Sequence, residues 1–255
     1  EDLIPQFPII RKATDAFNVT HVEMLGYEAD DLIASYAKEA IDKHMKVTIV
    51  SSDKDLMQLV KEDVSMLDTM KNRLIKKKEV IEKFGVEPDR VIDVQSLAGD
   101  SVDNIPGVPG IGIKTASLLI NEYDNLDNLL EKASNIKQNK RRESLIEFAD
   151  QARLSRELVT LKEDIKLPIP IKNIEIQSIN PEKLISFLKG MEFKTLTEKK
   201  AREFKLNLNE IKAEDLNLEF NEKEVIKTEV KKEKDFNNFE YEKYSTIIDK
   251  DELEN

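Results

Sequence analysis

The chain has 255 residues, of which 40% are hydrophobic and 36% are charged, and its formal net charge is −11. This composition is typical of a globular protein with a polar appendage, and the absence of cysteine excludes disulfides and thiolate chemistry. No apolar run is long enough to span a bilayer and no signal-peptide pattern is present, so we expect no membrane partner.

The first part of the chain alternates helical and strand patterns, which is typical of an α/β fold. The spacing of apolar residues predicts a helix within residues 1–20 and a stronger helix from Glu28 to about His44. A short apolar run over Lys46–Ser52 predicts a strand buried on both faces, as in a parallel sheet. A helix at DLMQLV and a small hairpin over residues 64–75 complete this region.

The remainder is predicted to be mainly helical, with a glycine hairpin near its start. Helices are expected over residues 78–84 and 89–97, from Thr115 onward, and over 181–191. The segment 135–157 is rich in Lys and Arg, and LPIPIKNIEI is typical of extended chain. From about Asn207 the sequence is rich in Glu, Lys and Asn, which predicts a mostly disordered acidic linker.

Seven carboxylates lie in three short clusters. They are Glu28, Asp30 and Asp31 in GYEADDLIA, Asp53 and Asp55 in VSSDKDL, and Asp100 and Asp103 in LAGDSVDNIPG. Acids at this density repel one another unless a cation lies among them. Hard cations such as Mg²⁺ take oxygen ligands, and the sequence offers no His/Cys set for zinc. The clusters therefore predict a site for divalent metal.

Each cluster also has an ordinary structural interpretation. Acids in the first turn of a helix complement its dipole, Asp at a strand-to-helix turn caps the helix, and Asp is common in turns before proline. Two features favour the functional interpretation. Asp30 falls at the edge of the apolar helix face, where a carboxylate needs a partner. Asp53 and Asp55 follow a strand at its carboxyl end, where open α/β sheets bind ligands.

The hairpin IPGVPGIGIKTA follows the third acidic cluster directly. Gly107, Gly110 and Gly112 permit positive φ and close approach of the backbone. Lys114 and Thr115 add donors at the start of the next helix, where backbone amides are free to bind phosphate. A simple turn between two helices is the alternative.

The motifs GYEADDLIASYA, SSDKDLMQLV and LAGDSVDNIPGVPGIGIKTASLL, in this order, closely resemble the 5′→3′ exonuclease domain of bacterial DNA polymerase I, within the flap endonuclease family. The resemblance covers residues 1 to about 204. It implies two Mg²⁺ or Mn²⁺ ions, the first held by Glu28, Asp30, Asp31 and Asp53 and the second by Asp53, Asp55, Asp100 and Asp103. It also implies that the hairpin belongs to a helix–hairpin–helix element that binds duplex DNA, with K⁺ as a further ion.

The resemblance implies an α/β fold with a mostly parallel central sheet flanked by helices, a C-terminal helix–hairpin–helix subdomain and a disordered acidic tail. The implied domains are a nuclease core over residues 1–95, a DNA-binding subdomain over 96–206 and a linker over 207–240. Residues 241–255 resemble the start of a 3′→5′ exonuclease-like domain. The parent protein would then continue covalently into polymerase domains.

The implied function is metal-dependent 5′→3′ exonuclease and 5′-flap endonuclease activity in DNA replication and repair. We expect a monomer in the bacterial cytoplasm, with flapped, nicked and branched duplexes as its DNA partners. The family's first strand, with two further metal-ligand aspartates, is not matched by this sequence. The alternative is therefore a DNA-binding fragment with a defective active site. The hairpin and the basic segment 135–157 disfavour an acidic α/β protein without a role on nucleic acid.

Overall fold

The computed structural model describes residues 6–216 of the chain. These residues form two compact units, one running from Val19 to Gln177 and the other made of the segments up to Asn18 and from Ser178 onward. The boundaries expected near residues 95 and 206 stay predictions. The expected domain start at 241–255 and most of the linker lie outside the described residues.

A small mixed sheet of three strands, in the order β1-β2-β3, lies in the larger unit. β1 (Val47–Val50) pairs in parallel with β2 (Val64–Asp68), and β2 pairs in antiparallel fashion with β3 (Arg73–Ile75). The predicted hairpin over residues 64–75 is thus confirmed. The sheet is less parallel than expected, because one of its two pairings joins the strands of this hairpin.

β1 is an edge strand within residues 6–216, since no other described strand pairs with its outer side. Ile49 is buried whereas Val50 is 62% exposed. The prediction of burial on both faces was therefore wrong. A strand is buried on both faces only where a layer covers each of them, and β1 packs against β2 and α2 (Ala29–Asp42).

The remaining described α-helices have the following bounds. They are α1 (Phe7–Ala16), α3 (Lys77–Phe84), α4 (Val91–Ala98), α5 (Ile113–Tyr123), α6 (Leu126–Glu131), α7 (Asn139–Glu147), α8 (Ala149–Val159), α9 (Pro181–Gly190) and α10 (Lys194–Phe204). The DLMQLV motif forms a 3₁₀ helix, Asp55–Leu59, instead of an α-helix. Helices α6, α7, α8 and α10 were not predicted. Among the helices described, none has the length and apolar character needed to cross a membrane.

Helix α4 is central to the larger unit, because it packs against both α5 and α8. Val91, Val94 and Leu97 on this helix are completely buried. The same helix also contacts the 3₁₀ helix Asp55–Leu59. The loop that follows α4 is thereby held beside the turn that follows β1.

The smaller unit has its own apolar core. Helix α1 contributes Ala16, and α9 contributes Leu184, Phe187 and Leu188. Asn180 caps α9 by accepting a hydrogen bond from the Lys183 amide at 3.1 Å. This cap satisfies one of the amides that every helix N-terminus leaves unpaired.

Candidate metal and nucleic-acid site

The first acidic cluster lies at the start of α2. Glu28 is the extended residue that precedes the helix, and Asp30 and Asp31 lie in its first turn. Asp31 Oδ1 accepts a hydrogen bond from the backbone amide of Lys162 at 2.9 Å. The Ser35 hydroxyl donates to the Lys162 carbonyl at 3.0 Å. The start of α2 is therefore fixed against the chain that follows α8.

The second cluster occupies the turn between β1 and the 3₁₀ helix. Asp53 is exposed, and its Oδ1 accepts from the Asp55 amide at 3.0 Å. Asp55 is half-buried, and its Oδ1 accepts from Gln95 Nε2 of α4. The carboxylate of Asp55 is thus oriented by a side chain of α4, whereas that of Asp53 is held by a local amide and is exposed.

The third cluster lies in the loop after α4. Asp100 and Ile105 exchange two backbone hydrogen bonds of 2.9 and 2.7 Å, which close a tight loop that carries the exposed Asp103. The Asp100 side chain is 9% exposed and both its oxygens are occupied. Oδ1 accepts from the Val102 amide at 2.8 Å, and Oδ2 forms an ion pair with Lys54 Nζ.

The three clusters influence one another electrostatically. The pKa of Asp30 is raised to about 6, first by burial and then by the negative charges of Asp53, Asp55, Glu28 and Asp31. Burial also raises the pKa of Asp55, and the charges of Asp53 and Asp103 add to the effect. Like charges that disfavour each other's ionised form in this way form one acidic region.

The acidic region is not a closed ligand cage. Within residues 6–216, no group of three acidic or histidine side chains is close enough to form a metal-ligand set on its own. The chemistry of the donors nevertheless fits a hard cation. Mg²⁺ takes oxygen ligands and usually keeps several waters, so some of the carboxylates can act through a bound water. Gln95, which is 5% exposed, adds a buried Oε1 that has no hydrogen-bond partner among the described residues.

Three residues at this region were not predicted. Gln95 and Lys54 contact the carboxylates of Asp55 and Asp100. Lys83 on α3 lies near Asp55 and Asp53. Burial is the main cause that lowers the pKa of Lys83, and the negative charges of these two aspartates partly reverse that shift. The position of Lys54 between two clustered aspartates was a usable signal, whereas nothing in the sequence marked Gln95 or Lys83.

Two glycines pack back to back at the base of the hairpin. A Cβ atom on Gly107 would lie 2.4 Å from the amide nitrogen of Gly99, which no real contact permits. The Gly107 amide donates to Ser155 Oγ at 3.0 Å, and its carbonyl accepts from Gln151 Nε2 at 2.7 Å. Gly107 therefore holds the hairpin on α8, and its own amide is occupied by Ser155, while its predicted role in DNA binding stays a prediction.

The tip of the hairpin is open. Gly110 has φ +80°, and a Cβ on either Gly110 or Gly112 would meet no atom within 4 Å. Gly112 is the residue that precedes α5, and the exposed Lys114 and half-buried Thr115 lie in its first turn. The first amides of a helix have no partner within the helix. The four remaining predicted hairpin residues thus surround one accessible helix start.

Comparison with known families gives two adjacent matches. Residues 1–85 match the family described as 5′-3′ exonuclease, N-terminal resolvase-like domain. Residues 86–182 match the family described as 5′-3′ exonuclease, C-terminal SAM fold. The junction between them falls at the end of α3, before the helix that carries Gln95.

Known relatives agree with these matches. DNA polymerase I of Rhizobium leguminosarum is 55% identical over 201 residues, which are 79% of this chain and 20% of that protein. A 5′-3′ exonuclease of Aquifex aeolicus is 36% identical over 191 residues, which are 75% of this chain and 65% of that protein. The chain thus spans about a fifth of the length of the polymerase relative.

A solved structure of T5 5′-exonuclease with divalent metal ions (zinc) bound has a similar fold. It superposes with a TM-score of 0.50 at 28% identity, over 53% of this chain and 51% of that one. The shared fold is mixed α/β, rich in helices, with a small sheet. Together with the tandem family matches, this similarity means that the chain belongs to the 5′-3′ exonuclease family, which includes the exonuclease domain of bacterial DNA polymerase I.

Proposed function

We propose that this chain is the 5′→3′ exonuclease part of a DNA polymerase I and hydrolyses phosphodiesters at the 5′ ends and 5′ flaps of DNA. One observation carries the proposal. Asp30, on α2, has its pKa raised to about 6 partly by Asp53 and Asp55, which lie beyond the next strand. Carboxylates whose ionised form is destabilised by burial and by neighbouring carboxylates are typical of functional sites.

The acidic region would hold two Mg²⁺ or Mn²⁺ ions. Glu28, Asp30, Asp31 and Asp53 are the proposed donors to one ion, and Asp53, Asp55, Asp100 and Asp103 to the other. A divalent ion at such a site supplies an activated water and neutralises the phosphate. The protein contributes orientation: Gln95 fixes Asp55, and the Val102 amide fixes Asp100.

The hairpin would bind the DNA backbone. Helix α4, the loop 99–112 and α5 are proposed to act as a helix–hairpin–helix element, with K⁺ as a candidate ion at its tip. The open space at Gly110 and Gly112 admits a phosphate close to the backbone, and Lys114 adds a positive charge. Contacts of this kind do not distinguish sequence, so duplexes with flaps, nicks or branches are the proposed partners.

The molecular context is also part of the proposal. The chain would act as a monomer in the bacterial cytoplasm, joined covalently to polymerase domains in its parent protein. The length match supports the last point, because the matched region is a fifth of the Rhizobium polymerase.

A second function is favoured by a specific observation. No three acidic side chains form a ready metal-ligand group within the described part of the chain. In addition, β1 has an unpaired outer edge among the same residues. Both findings are expected if this chain by itself is a DNA-binding fragment with an incomplete active site.

A cleavage assay distinguishes the two functions. The substrate is a labelled 5′-flap duplex, with Mg²⁺ or Mn²⁺ in one arm and a chelator in the other. We expect weak cleavage by this chain alone. Fusing the first strand of a family member ahead of it should accelerate cleavage at least about a hundredfold, since a misplacement of about 1 Å has that effect on rate.

The matched control is the same fusion with Asp53→Ala, which should be inactive. Binding of the flap without cleavage by either protein would favour the DNA-binding function. Equal and rapid cleavage with and without the added strand would show that the acidic region is complete as it stands.

A further inference from the structure

Lys54 joins two of the acidic clusters. It lies between Asp53 and Asp55 in sequence, yet its Nζ contacts Oδ2 of Asp100, 46 residues further along the chain. Its side chain is 35% exposed, whereas that of Asp100 is 9% exposed. This is the ion pair by which the turn after β1 is bound to the loop after α4.

With this pair, each oxygen of Asp100 has one partner within the protein. Oδ1 already accepts from the Val102 amide, and Oδ2 is in contact with the ammonium group. A divalent ion that takes Oδ2 of Asp100 as a ligand competes with Lys54 for that oxygen, and the repulsion between the two cations favours displacement of Lys54. Both cations compete for one carboxylate, and the positive charge of Lys54 also favours the ionised form of Asp55.

Resting on the proposed metal-dependent function, we infer that Lys54 is a resident counter-cation of the acidic region. It holds Asp100 in place before metal binds, and the arriving metal ion displaces it from Asp100. Lys54 is thus a positioning residue that sets how much free metal the site requires.

The inference requires opposite effects on two properties. Removing the ammonium leaves a nearly buried carboxylate without a compensating positive charge, so the metal-free protein should lose stability. The same removal takes away a competitor and a repulsive charge, so metal should bind more tightly. A residue that only supported the fold would weaken both properties when removed.

The test measures Mn²⁺ binding by calorimetry, without DNA, on the wild type and four variants. Lys54→Met and Lys54→Gln remove the charge, and Lys54→Gln keeps a donor for Asp100 if the methionine variant does not fold. We expect the apparent Kd for Mn²⁺ to fall by about tenfold in both. Lys54→Arg keeps the charge and should stay within about twofold of wild type.

Lys83→Met is the matched control for charge alone. Lys83 lies near Asp53 and Asp55 and has no ion pair with a carboxylate among the described residues. Its loss should change the Kd for Mn²⁺ by less than about threefold. If Lys83→Met changed the Kd for Mn²⁺ as much as Lys54→Met does, general electrostatics would explain both changes. The proposed displacement of Lys54 would then be wrong.

A double-mutant cycle gives the second measurement. The loss of thermal stability caused by Lys54→Met in metal-free protein should largely vanish when Asp100→Asn is already present. If the wild type binds Mn²⁺ and the neutral variants bind it equally or more weakly, the role of Lys54 is wrong while the metal site stands. If none of the proteins binds Mn²⁺, the metal site and the role of Lys54 fail together.

Discussion

Burial and neighbouring negative charges disfavour the ionised form of individual carboxylates in this protein. Asp30 is half-buried at the start of α2 and experiences four other acidic side chains, which together with burial raise its pKa to about 6. In the absence of metal, ionised Asp30 therefore destabilises the fold. A bound cation would convert this repulsion into attraction.

The pH dependence of stability should reveal this repulsion. The folded-state pKa of Asp30 lies above its usual value of 3.8, so the native state binds more protons than the unfolded state between about pH 4 and pH 6. The unfolding free energy of the metal-free protein should therefore fall as pH rises through that window. Asp30→Asn should reduce the fall and stabilise the protein at pH 7 by about 1 kcal/mol, a value that allows for solvent screening of a half-buried group.

Denaturant titrations at several pH values check this expectation. Asp42→Asn, which changes an exposed carboxylate at the far end of the same helix, is the control and should leave the slope with pH unchanged. The same slope in Asp30→Asn as in wild type would assign the pH dependence to other groups.

The sequence was sufficient to find the seven acids but not their partners. The acids were visible because they recur at short spacing and adjoin a strand end or a glycine hairpin. Gln95 was hidden because an uncharged side chain inside a helical pattern has no distinctive signal, and its role depends on α4 packing beside the 3₁₀ helix.

At the scale of elements, one loop combines rigid and open glycines. Gly99 and Gly107 have positive φ and contact each other so closely that neither tolerates a Cβ atom. Gly110 has positive φ as well, but the space around it is empty. The rigid pair fixes where the hairpin starts, and the open tip is the part that can approach a phosphate.

Duplex binding should depend on this tip. Gly110→Val should weaken binding to a duplex, because the branched side chain fills the space that a phosphate would enter. Gly26→Val is the matched control, since Gly26 also has positive φ and open surroundings, so the backbone strain is alike. Asp55→Ala should not weaken binding and removes a negative charge that repels the DNA.

Titrations at two salt concentrations measure the effect. Affinity should be modest and should fall as salt rises, because few phosphates are contacted and the protein is acidic overall. Equal binding by Gly110→Val and Gly26→Val, or affinity independent of salt, would leave the hairpin as a structural turn.

Several elements with a clear apolar period were predicted, whereas α7, which lacks one, was not. Helices α2, α3 and α9 were found close to their observed bounds, as was the β2–β3 hairpin. In α7, NKRRESLIE, Leu145 is the buried residue and charged side chains fill the first turn. Such a helix is stabilised by its neighbours in the fold, and single-sequence periodicity does not record those neighbours.

For the whole molecule, the net charge of −11 conceals an uneven distribution. More than half of the excess acid lies beyond residue 206, and seven further acids form the proposed metal site. Divalent ions would neutralise much of that site, which leaves a body compatible with a DNA backbone.

Metal should therefore stabilise the folded protein. At a Mn²⁺ concentration about a hundredfold above Kd, we expect the Tm to rise by about 5 °C or more, because the ion binds the folded state alone. Asp53→Ala should remove most of the rise, since Asp53 is the proposed donor to both ions. Differential scanning calorimetry measures the rise in Tm, with Ca²⁺ as a comparison ion. An unchanged Tm of the wild type on adding Mn²⁺ would count against the site.

Within residues 6–216 no strand pairs with the outer edge of β1, and this has a consequence for handling the protein. Beside this strand lies a cleft of about 490 Å³, lined by Ile33, Met45, Val50 and Ile171 among others. Main-chain donors and acceptors next to an apolar cleft form a template on which any extended chain can pair. We therefore expect concentration-dependent self-association through this edge wherever no other segment of the chain pairs with it.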